Sequence, residues 1–393
     1  MTTYNDLVEL ENAIGEQQVL SVYVRGGEKD PAKQQSWQID LKNSLDDIET
    51  SLAGVPHAER ELFAQAREAA LQKLGEQRGV IRAPGWAGFF VGERDYRSGD
   101  VPAPVRTLAA WDVGPRLTPY VRALKEARPV IVAILDKRQG LIYKYSEREV
   151  QRLDTVVAQT PIEEPYHMGN APPQGFRPGT RGSTGTDEVQ RELNDAIRRM
   201  LLSLSDKLAK LAADDAWIVL GGMKSVAHEA LERLPKSLVA RSMVVEGVDV
   251  RATEPSVAEL ARQSASTLRD QFDLQVVSEV IDRAAAHGLG AVGIRDVKAA
   301  LEQGRVHDVY FTLDFVDKHS DEAEEALRMA LGTGAVVEHV SGDAAVTLDE
   351  VGGIAARLRY MLDKTVATEA ERRGGTADDA RLERVSQRAS EAR

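Results

Sequence analysis

The chain has 393 residues, which is enough for two to four domains, and 42% of its residues are apolar, so it can bury a substantial core. Its formal net charge of −12 argues against a protein that coats nucleic acid by bulk charge, although a local basic site is compatible with this value. The absence of cysteine excludes disulfides, thiol nucleophiles and cysteine–zinc sites.

The N-terminal residues are acidic and lack the apolar region of a secretory signal. No apolar run is long enough to span a bilayer. We therefore expect a soluble cytoplasmic protein with no membrane partner.

Residues 1–118 are predicted to form a first α/β domain. Apolar periodicity predicts three strands, Val19–Val24, Trp86–Gly92 and Val105–Trp111, with a charged turn between the last two. Helical spacing predicts two helices, Gln35–Leu52 and Pro56–Leu74. These helices either pack on the core or form an exposed hairpin.

Residues 119–286 are predicted to form a second domain. Its predicted strands are Val130–Leu135, Leu141–Tyr145, Trp217–Leu220 and Val244–Val250. Its predicted helices are Asp187–Leu211, a helix from about Ser225 to Leu234, and Ser256–Ala286. The first of these is amphipathic, has Thr186 as its expected N-cap, and carries Arg191, Asp195, Arg198 and Arg199 on its polar face.

A short glycine-rich turn precedes the second helix of this domain. Gly221 and Gly222 are followed by Lys224 and Ser225, which is similar to a phosphate-binding loop without its full GxxxxGK[ST] spacing. Nucleotide binding and a plain strand-to-helix turn both stay open at this position.

Residues 287–365 are predicted to form a third, mainly parallel α/β unit, because strands and helices alternate along it. Gly304 stands where a glycine follows a helix C-terminus, and Gly352 and Gly353 are expected to need positive φ. Residues 366–393 are charged and contain no aromatic residue, which predicts a disordered tail.

The segment 166–186 cannot be regular structure, because it contains five glycines and three prolines. It carries no Asp or Glu, and its polar and aromatic residues are suited to RNA. Arg177 and Arg181 can each form two hydrogen bonds to a phosphate, and Phe176 can stack on an unpaired base. The alternative is a disordered surface loop with two solvated arginines.

Other chemistry is poorly supported by the sequence. The seven histidines show no metal-ligand spacing, so no metal site is predicted. Gly182-Ser183-Thr184-Gly185 is not a nucleophile elbow, because Arg181 stands in the place of the first glycine. Nothing predicts a cofactor.

Three passages resemble the archaeal and eukaryotic class I peptide-release factors, and especially the bacterial proteins built on that plan. Gly352–Tyr360 (GGIAARLRY) resembles the closing strand of the third domain of that family, and Gly293–Leu313 resembles the helix–strand entry to the same domain. Ile218–Leu231 (IVLGGMKSVAHEAL) resembles a strand–helix step of the second domain. The resemblance covers roughly residues 119–362. It implies a mixed-sheet second domain with a long loop before a long helix, and an L7Ae-like α/β/α third domain.

In that family the loop before the long helix carries Gly-Gly-Gln and reaches the peptidyl-transferase centre. Here this loop contains Pro172-Pro173-Gln174 instead, so Gln174 is the candidate catalytic residue, with His167 as a nearby base. The stop-codon tetrapeptide Asn-Ile-Lys-Ser is absent, and stop-codon reading is not expected. The pattern is closest to the Balon-type ribosome hibernation factors.

The leading hypothesis is therefore a non-catalytic factor that binds the A site of the 70S ribosome, in hibernation or protection. The resemblance implies rRNA, P-site tRNA and elongation factor Tu as partners, and no DNA. The RNA-binding candidates are His167, Gln174, Phe176, Arg177 and Arg181. The alternatives are a peptidyl-tRNA hydrolase for ribosome rescue that uses Gln174, and a protein-binding scaffold without RNA contact.

Overall fold

A computed structural model describes residues 4–28, 30, 34–77, 80–146, 149–159, 184–212 and 215–361, with the backbone alone for 184–190. The chain divides into two compact units. Unit 1 comprises Met1–Ala127 and Asp273–Arg393, and unit 2 comprises Arg128–Phe272. The predicted domain limits 1–118, 119–286 and 287–365 stay a prediction, and the predicted tail 366–393 lies outside the described residues.

The first segment of unit 1 is built on a four-stranded antiparallel sheet in the order β3-β2-β1-β4. The strands are β1 (Gln18–Arg25), β2 (Gly85–Val91), β3 (Arg94–Val101) and β4 (Leu108–Val113). The helices are α1 (Tyr4–Ile14), α2 (Ser36–Ser51), α3 (His57–Glu76) and α4 (Thr118–Glu126), and a 3-10 turn covers Leu52–Gly54.

The packing of α2 and α3 decides between the two alternatives left by the sequence. Trp37 and Leu41 of α2, and Phe63 and Leu74 of α3, are buried against β1 and β2, so the core-packed alternative is confirmed. The prediction of a charged turn after β2 is wrong, because residues 94–101 form β3. This strand pairs on one side only, and an edge strand tolerates charged side chains on its exposed side.

Unit 2 contains a five-stranded mixed sheet in the order β7-β6-β5-β8-β9. Its strands are β5 (Val130–Leu135), β6 (Gln139–Ser146), β7 (Glu149–Val157), β8 (Trp217–Gly222) and β9 (Ser242–Val244). β5, β6 and β7 are antiparallel, whereas β5, β8 and β9 are parallel. Its helices are α5 (Thr184–Leu211), α6 (Lys224–Glu232), α7 (Lys236–Val239) and α8 (Glu254–Ala285), whose last part belongs to unit 1. The predicted mixed sheet is confirmed.

Two local predictions for unit 2 are wrong. The predicted strand Val244–Val250 ends at Val244, because Gly247 turns the chain with φ of 78°. Helix α5 begins at Thr184, so Thr186 lies inside it and is not its N-cap. The first residues of α5 therefore extend the helix into the predicted loop.

The last segment of unit 1 contains a second four-stranded sheet, in the order β10-β13-β11-β12. Its strands are β10 (Gly290–Val292), β11 (Val306–Phe311), β12 (Val336–His339) and β13 (Ile354–Leu358). Its helices are α9 (Ile294–Glu302), α10 (Leu313–Lys318), α11 (Ser320–Gly332) and α12 (Gly342–Asp349).

The predicted mainly parallel sheet is wrong for this segment. Only β11 and β12 are parallel, whereas β13 pairs antiparallel with both β10 and β11. The chain turns at Gly352 and Gly353, with φ of 105° and 74°, and re-enters the sheet beside β11 in the opposite direction. The predicted positive φ of both glycines is confirmed, as is Gly304, with φ of 64°, after α9.

One hydrophobic cluster joins the two sequence-distant segments of unit 1. It contains Leu7 and Phe89 from the first segment and Phe311 and Leu327 from the last. The carboxylate of buried Glu324 accepts hydrogen bonds from the backbone N–H groups of Leu117 and Thr118, at 2.8 and 3.2 Å. The first and last segments therefore share one core.

A buried ion cluster lies in the same unit. The Lys125 ammonium, on α4, contacts the Asp273 carboxylate, on α8, and donates to the backbone oxygen of His339, the last residue of β12. The Glu338 carboxylate lies 3.4 Å from the same ammonium. Burial raises the pKa of Asp273, and the charge of Lys125 opposes this shift. No helix within the described ranges is long and apolar enough to cross a membrane.

Candidate functional site

The candidate site lies at one edge of the unit 2 sheet. In a parallel arrangement the carboxyl ends of β5, β8 and β9 reach the same edge, where Leu135 is paired with Gly222, and Leu220 with Val244. Ligands of α/β proteins commonly bind outside the carboxyl ends of parallel strands. Strand β7 ends at the same edge, where Val157 is paired with Gln139.

The chain directly after β7 is attached to the sheet through Ala158. Ala158 is buried and packs with Ala196, Ile197 and Met200 of α5 in one hydrophobic cluster. Its backbone N–H donates to the carbonyl oxygen of Arg138 at 2.8 Å. The chain is therefore held on the sheet as far as Ala158.

Helix α5, which follows residues 160–183 in the sequence, extends beyond the sheet at its N-terminal end. The Leu204 side chain lies beside Gly140, which is paired with the last residue of β5. Lys207, further along the helix, forms an ion pair with Asp154 inside the sheet. Going from Lys207 toward the N-terminus of α5, the helix therefore passes the carboxyl edge of the sheet at about Leu204 and continues beyond it. The 20 residues from Leu204 back to Thr184 cover about 30 Å.

The outer face of α5 carries three arginines as well as the carboxylates of Glu192 and Asp195. Arg191, Arg198 and Arg199 are exposed, and none of them forms an ion pair with a residue that the structure describes. Arg191 and Arg198 are seven residues apart and therefore lie on one stripe of the helix. Lys137 and Arg138 add two exposed cations at the turn between β5 and β6.

Charge is unevenly divided between the two units. Residues 128–272 contain 20 Lys and Arg and 20 Asp and Glu, so the net charge of −12 is carried entirely by unit 1. Unit 2 is neutral as a whole and can therefore approach a polyanion through a local cluster of cations.

The glycine-rich turn after β8 favours the plain strand-to-helix alternative. Gly222 has φ of 98°, and a Cβ there would lie 2.1 Å from the Leu135 carbonyl oxygen. The Met223 N–H already donates to that oxygen at 2.8 Å. The Lys224 ammonium lies 2.6 Å from the Glu246 carboxylate, and this hydrogen bond lowers the pKa of Glu246. The lysine is thus paired within the protein rather than presented to a nucleotide.

The residues that the sequence predicts for RNA binding and catalysis, His167, Gln174, Phe176, Arg177 and Arg181, lie outside the described residues, so their roles stay predictions. The structure adds five exposed cations to these candidates. Lys137 and Arg138 lie in the turn beside the end of β7, and Arg191, Arg198 and Arg199 lie on α5. The seven-residue spacing of the arginines was visible in the sequence, but it is equally typical of a solvated helix face. In the described ranges no group of three or more His, Asp or Glu side chains is placed to hold a metal ion.

A family model described as bacterial archaeo-eukaryotic release factor family 10 matches residues 115–266. These residues include nearly all of unit 2, with its mixed sheet, α5 and the segment 160–183. The resemblance to the release-factor family is thereby confirmed, whereas the particular likeness to Balon-type factors and the L7Ae-like plan of the last segment stay predictions.

Two curated relatives of this chain come from archaea. A pelota homologue from Methanothrix thermoacetophila is 28% identical over 203 residues, which are 46% of this chain and 53% of that protein. A second, from Halobacterium salinarum, is 27% identical over 201 residues, 47% of this chain and 56% of that protein. The chain thus spans about half the length of the curated relatives it matches.

A solved structure entitled "Model of ribosome-bound archaeal Pelota and ABCE1" is also similar. It is 14% identical, covers 92% of this chain and 95% of that chain, and has a TM-score of 0.38.

Proposed function

We propose that this release-factor homologue binds the A site of the 70S ribosome without hydrolysing peptidyl-tRNA, and that it acts in hibernation or protection of idle ribosomes, as Balon-type factors do. The observation that carries the proposal is the match of residues 115–266 to a release-factor family model, together with a packed sheet from which α5 projects past the carboxyl edge. In the sequence, α5 directly follows residues 160–183. We propose the cytoplasm as its location.

The charge distribution supports an RNA partner. Unit 2 is electrically neutral, whereas the rest of the chain is acidic, and exposed cations flank the attachment of 160–183. Arginines favour phosphates because the guanidinium forms two parallel hydrogen bonds to phosphate oxygens. Arg177 and Arg181 extend the same chemistry into the segment itself. We therefore propose rRNA as the main contact of unit 2, with P-site tRNA beside it and elongation factor Tu as a companion.

The sequence of the segment supports a non-catalytic role. Release in the family depends on Gly-Gly-Gln, and here Pro172 and Pro173 precede Gln174. Proline has no N–H and fixes φ near −65°, so two backbone donors are absent. Loss of one donor to a developing oxyanion typically slows a reaction by about 10²–10³.

Co-sedimentation with purified 70S ribosomes tests the binding. We expect wild type to pellet with vacant ribosomes and Arg177→Ala/Arg181→Ala to bind more weakly, because two phosphate contacts are lost. Each lost contact should also lower the slope of log K against log salt by about 0.7–0.9. Failure of wild type to pellet at any salt concentration contradicts the proposal. Equal binding of both proteins contradicts the role of the two arginines.

The second candidate function is peptidyl-tRNA hydrolysis, which is favoured by the presence of Gln174 before α5. Release of labelled peptide from stalled ribosomes separates the two functions, with Gln174→Ala as the matched variant. We expect no release by either protein. Rapid release by wild type that is lost in the variant establishes the hydrolase instead.

A third candidate, a protein-binding scaffold, is favoured by a cleft of about 1300 Å³ in unit 1. Its walls carry cations and carboxylates in similar number, among them Arg25, Arg106, Glu28, Asp40 and Asp317. Such mixed charge fits a protein surface better than a polyanion. Deletion of 166–183 abolishes ribosome binding if unit 2 is the contact, and leaves it unchanged if unit 1 alone recruits the protein.

A further inference from the structure

The turn between β5 and β6 is a short, rigid structure that presents two cations. The Asp136 N–H donates to the Gln139 carbonyl oxygen at 2.9 Å, so Lys137 and Arg138 stand at the tip. The Asp136 carboxylate accepts hydrogen bonds from the backbone N–H groups of Arg138 and Gln139, both at 2.6 Å. The turn is thus closed by its own side chain.

The flanks of the turn are equally fixed. Leu135 before it is buried, and a Cβ on Gly140 after it would lie 2.8 Å from a methyl group of Leu135. The carbonyl oxygen of Arg138 accepts the hydrogen bond from Ala158. Because the backbone of the tip is already ordered, only the two side chains lose conformational freedom when the tip binds a partner.

The side chains of the tip are available to an anion. Lys137 and Arg138 are exposed, and neither forms an ion pair with a residue in the described part of the chain. The one acidic residue of the turn, Asp136, is directed at the backbone amides, so the tip carries a net charge of +1. The tip lies at the carboxyl edge of the sheet, where the Leu204 side chain of α5 lies beside Gly140.

We propose that Lys137 and Arg138 contact the sugar-phosphate backbone of RNA, as a contact separate from that of residues 160–183. The inference rests on the proposed function, because it assumes that unit 2 approaches rRNA. An arginine and a lysine on a fixed turn position a protein on RNA without reading its sequence. The turn therefore sets the orientation of unit 2.

The test is the salt dependence of 70S binding by Lys137→Ala/Arg138→Ala, measured by co-sedimentation of the full chain. We expect affinity to fall roughly tenfold at low salt and the slope of log K against log salt to fall by about 1.4–1.8, since two phosphate contacts are lost. The matched control is Lys210→Ala/Lys236→Ala, which removes two exposed cations elsewhere in the same unit. The control is expected to bind like wild type.

The outcomes separate the inference from the function on which it rests. If wild type binds and the turn variant matches it in affinity and slope, the inference is wrong and the proposed function stands. An equal loss of affinity in the control variant indicates an effect of bulk charge and overturns the inference. Weaker binding by the turn variant with an unchanged slope indicates a contact with protein and also overturns the inference.

If wild type does not bind ribosomes, the proposed function fails. Whether Lys137 and Arg138 contact RNA is then tested by fluorescence anisotropy with a double-stranded RNA, comparing wild type with the turn variant. A lower slope for the turn variant alone supports RNA contact, and equal curves for both proteins overturn it. Matching urea midpoints of all variants show that differences do not arise from unfolding.

Discussion

Unit 1 contains a fully buried ion pair, whereas every ion pair described in unit 2 has at least one partly exposed partner. In unit 1 the ion pair of Lys125 and Asp273 leaves the two side chains only 4% and 0% exposed, and Glu324 is buried on backbone amides. In unit 2 the pair of Lys224 and Glu246 is 68% and 56% exposed. Charge in unit 1 joins segments within the protein, whereas much of the charge in unit 2 stays in solvent, where a polyanion can reach it.

The difference follows from how each unit is assembled. Unit 2 is a continuous stretch of chain, and a hydrophobic cluster joins its sheet to α5. Unit 1 brings together segments separated by about 145 residues, and buried polar groups that match only one arrangement favour correct assembly. We take this as a hypothesis for unit 1, and the following predictions test it in order of expected effect.

The largest effect is expected for Lys125→Ala. It leaves the carboxylates of Asp273 and Glu338 buried without their cation, which typically costs about 3–5 kcal/mol of the free energy of unfolding. Urea denaturation followed by pulsed hydrogen exchange reports the two units separately, and the loss should be confined to unit 1. The double variant Lys125→Ala/Asp273→Asn should recover part of it. A loss below about 1 kcal/mol contradicts the structural role of the cluster.

The next effect concerns Gly353→Val in unit 1. A Cβ at this position would lie 2.6 Å from the Phe315 Cβ, in addition to the strain of φ at 74°, so we expect a loss of about 2–4 kcal/mol. Gly304→Ala is the control, because φ is 64° and no atom lies within 4 Å of the added Cβ. There the loss should be about 1 kcal/mol. Equal melting temperatures for the two variants would show that contact with Phe315 is unimportant.

A smaller, pH-dependent effect is expected for Glu11 of α1. Burial raises the pKa of Glu11 to about 7 from 4.5, with Arg328 opposing the shift and Glu324 adding to it. The folded chain then holds a proton that the unfolded chain releases, so this stabilisation is complete below about pH 4.5 and is lost as the pH rises through 7.

Glu11→Gln keeps a neutral side chain at every pH. We expect it to match wild type near pH 4.5 and to be more stable by about 1–3 kcal/mol at pH 8, as measured by urea midpoints. Parallel pH profiles for the two proteins would contradict a buried, protonated Glu11.

The smallest effect is expected in unit 2, for Asp154→Asn. The hydrogen bond from Lys207 lowers the pKa of Asp154, but the Lys207 and Asp154 side chains remain 37% and 44% exposed. Surface pairs of this kind contribute little because solvent screens them. The urea midpoint of unit 2 should not change measurably between pH 5 and 8. A clear loss of stability would remove the contrast between the two units.

Local sequence determined most of the buried elements. β5, α9 and the ends of α2 and α3 lie where apolar periodicity places them, because a buried face must repeat with the period of its own helix or strand. The positive φ of Gly352 and Gly353 was also predictable, since glycine adopts it without steric cost. The resemblance of residues 115–266 to the release-factor family was recognisable from the short motif Ile218–Leu231, which covers β8 and most of α6.

Tertiary structure decided what depends on distant partners. β3 and β7 were missed because edge strands pair on one side only and need few apolar residues. The direction of β13 depends on which strand it joins, and the burial of Lys125 depends on carboxylates about 150 and 213 residues away. Likewise, Lys137 and Arg138 are ordinary turn residues in sequence. The pairing of β6 with β7, extended by the hydrogen bond from Ala158 to Arg138, places them beside the end of β7.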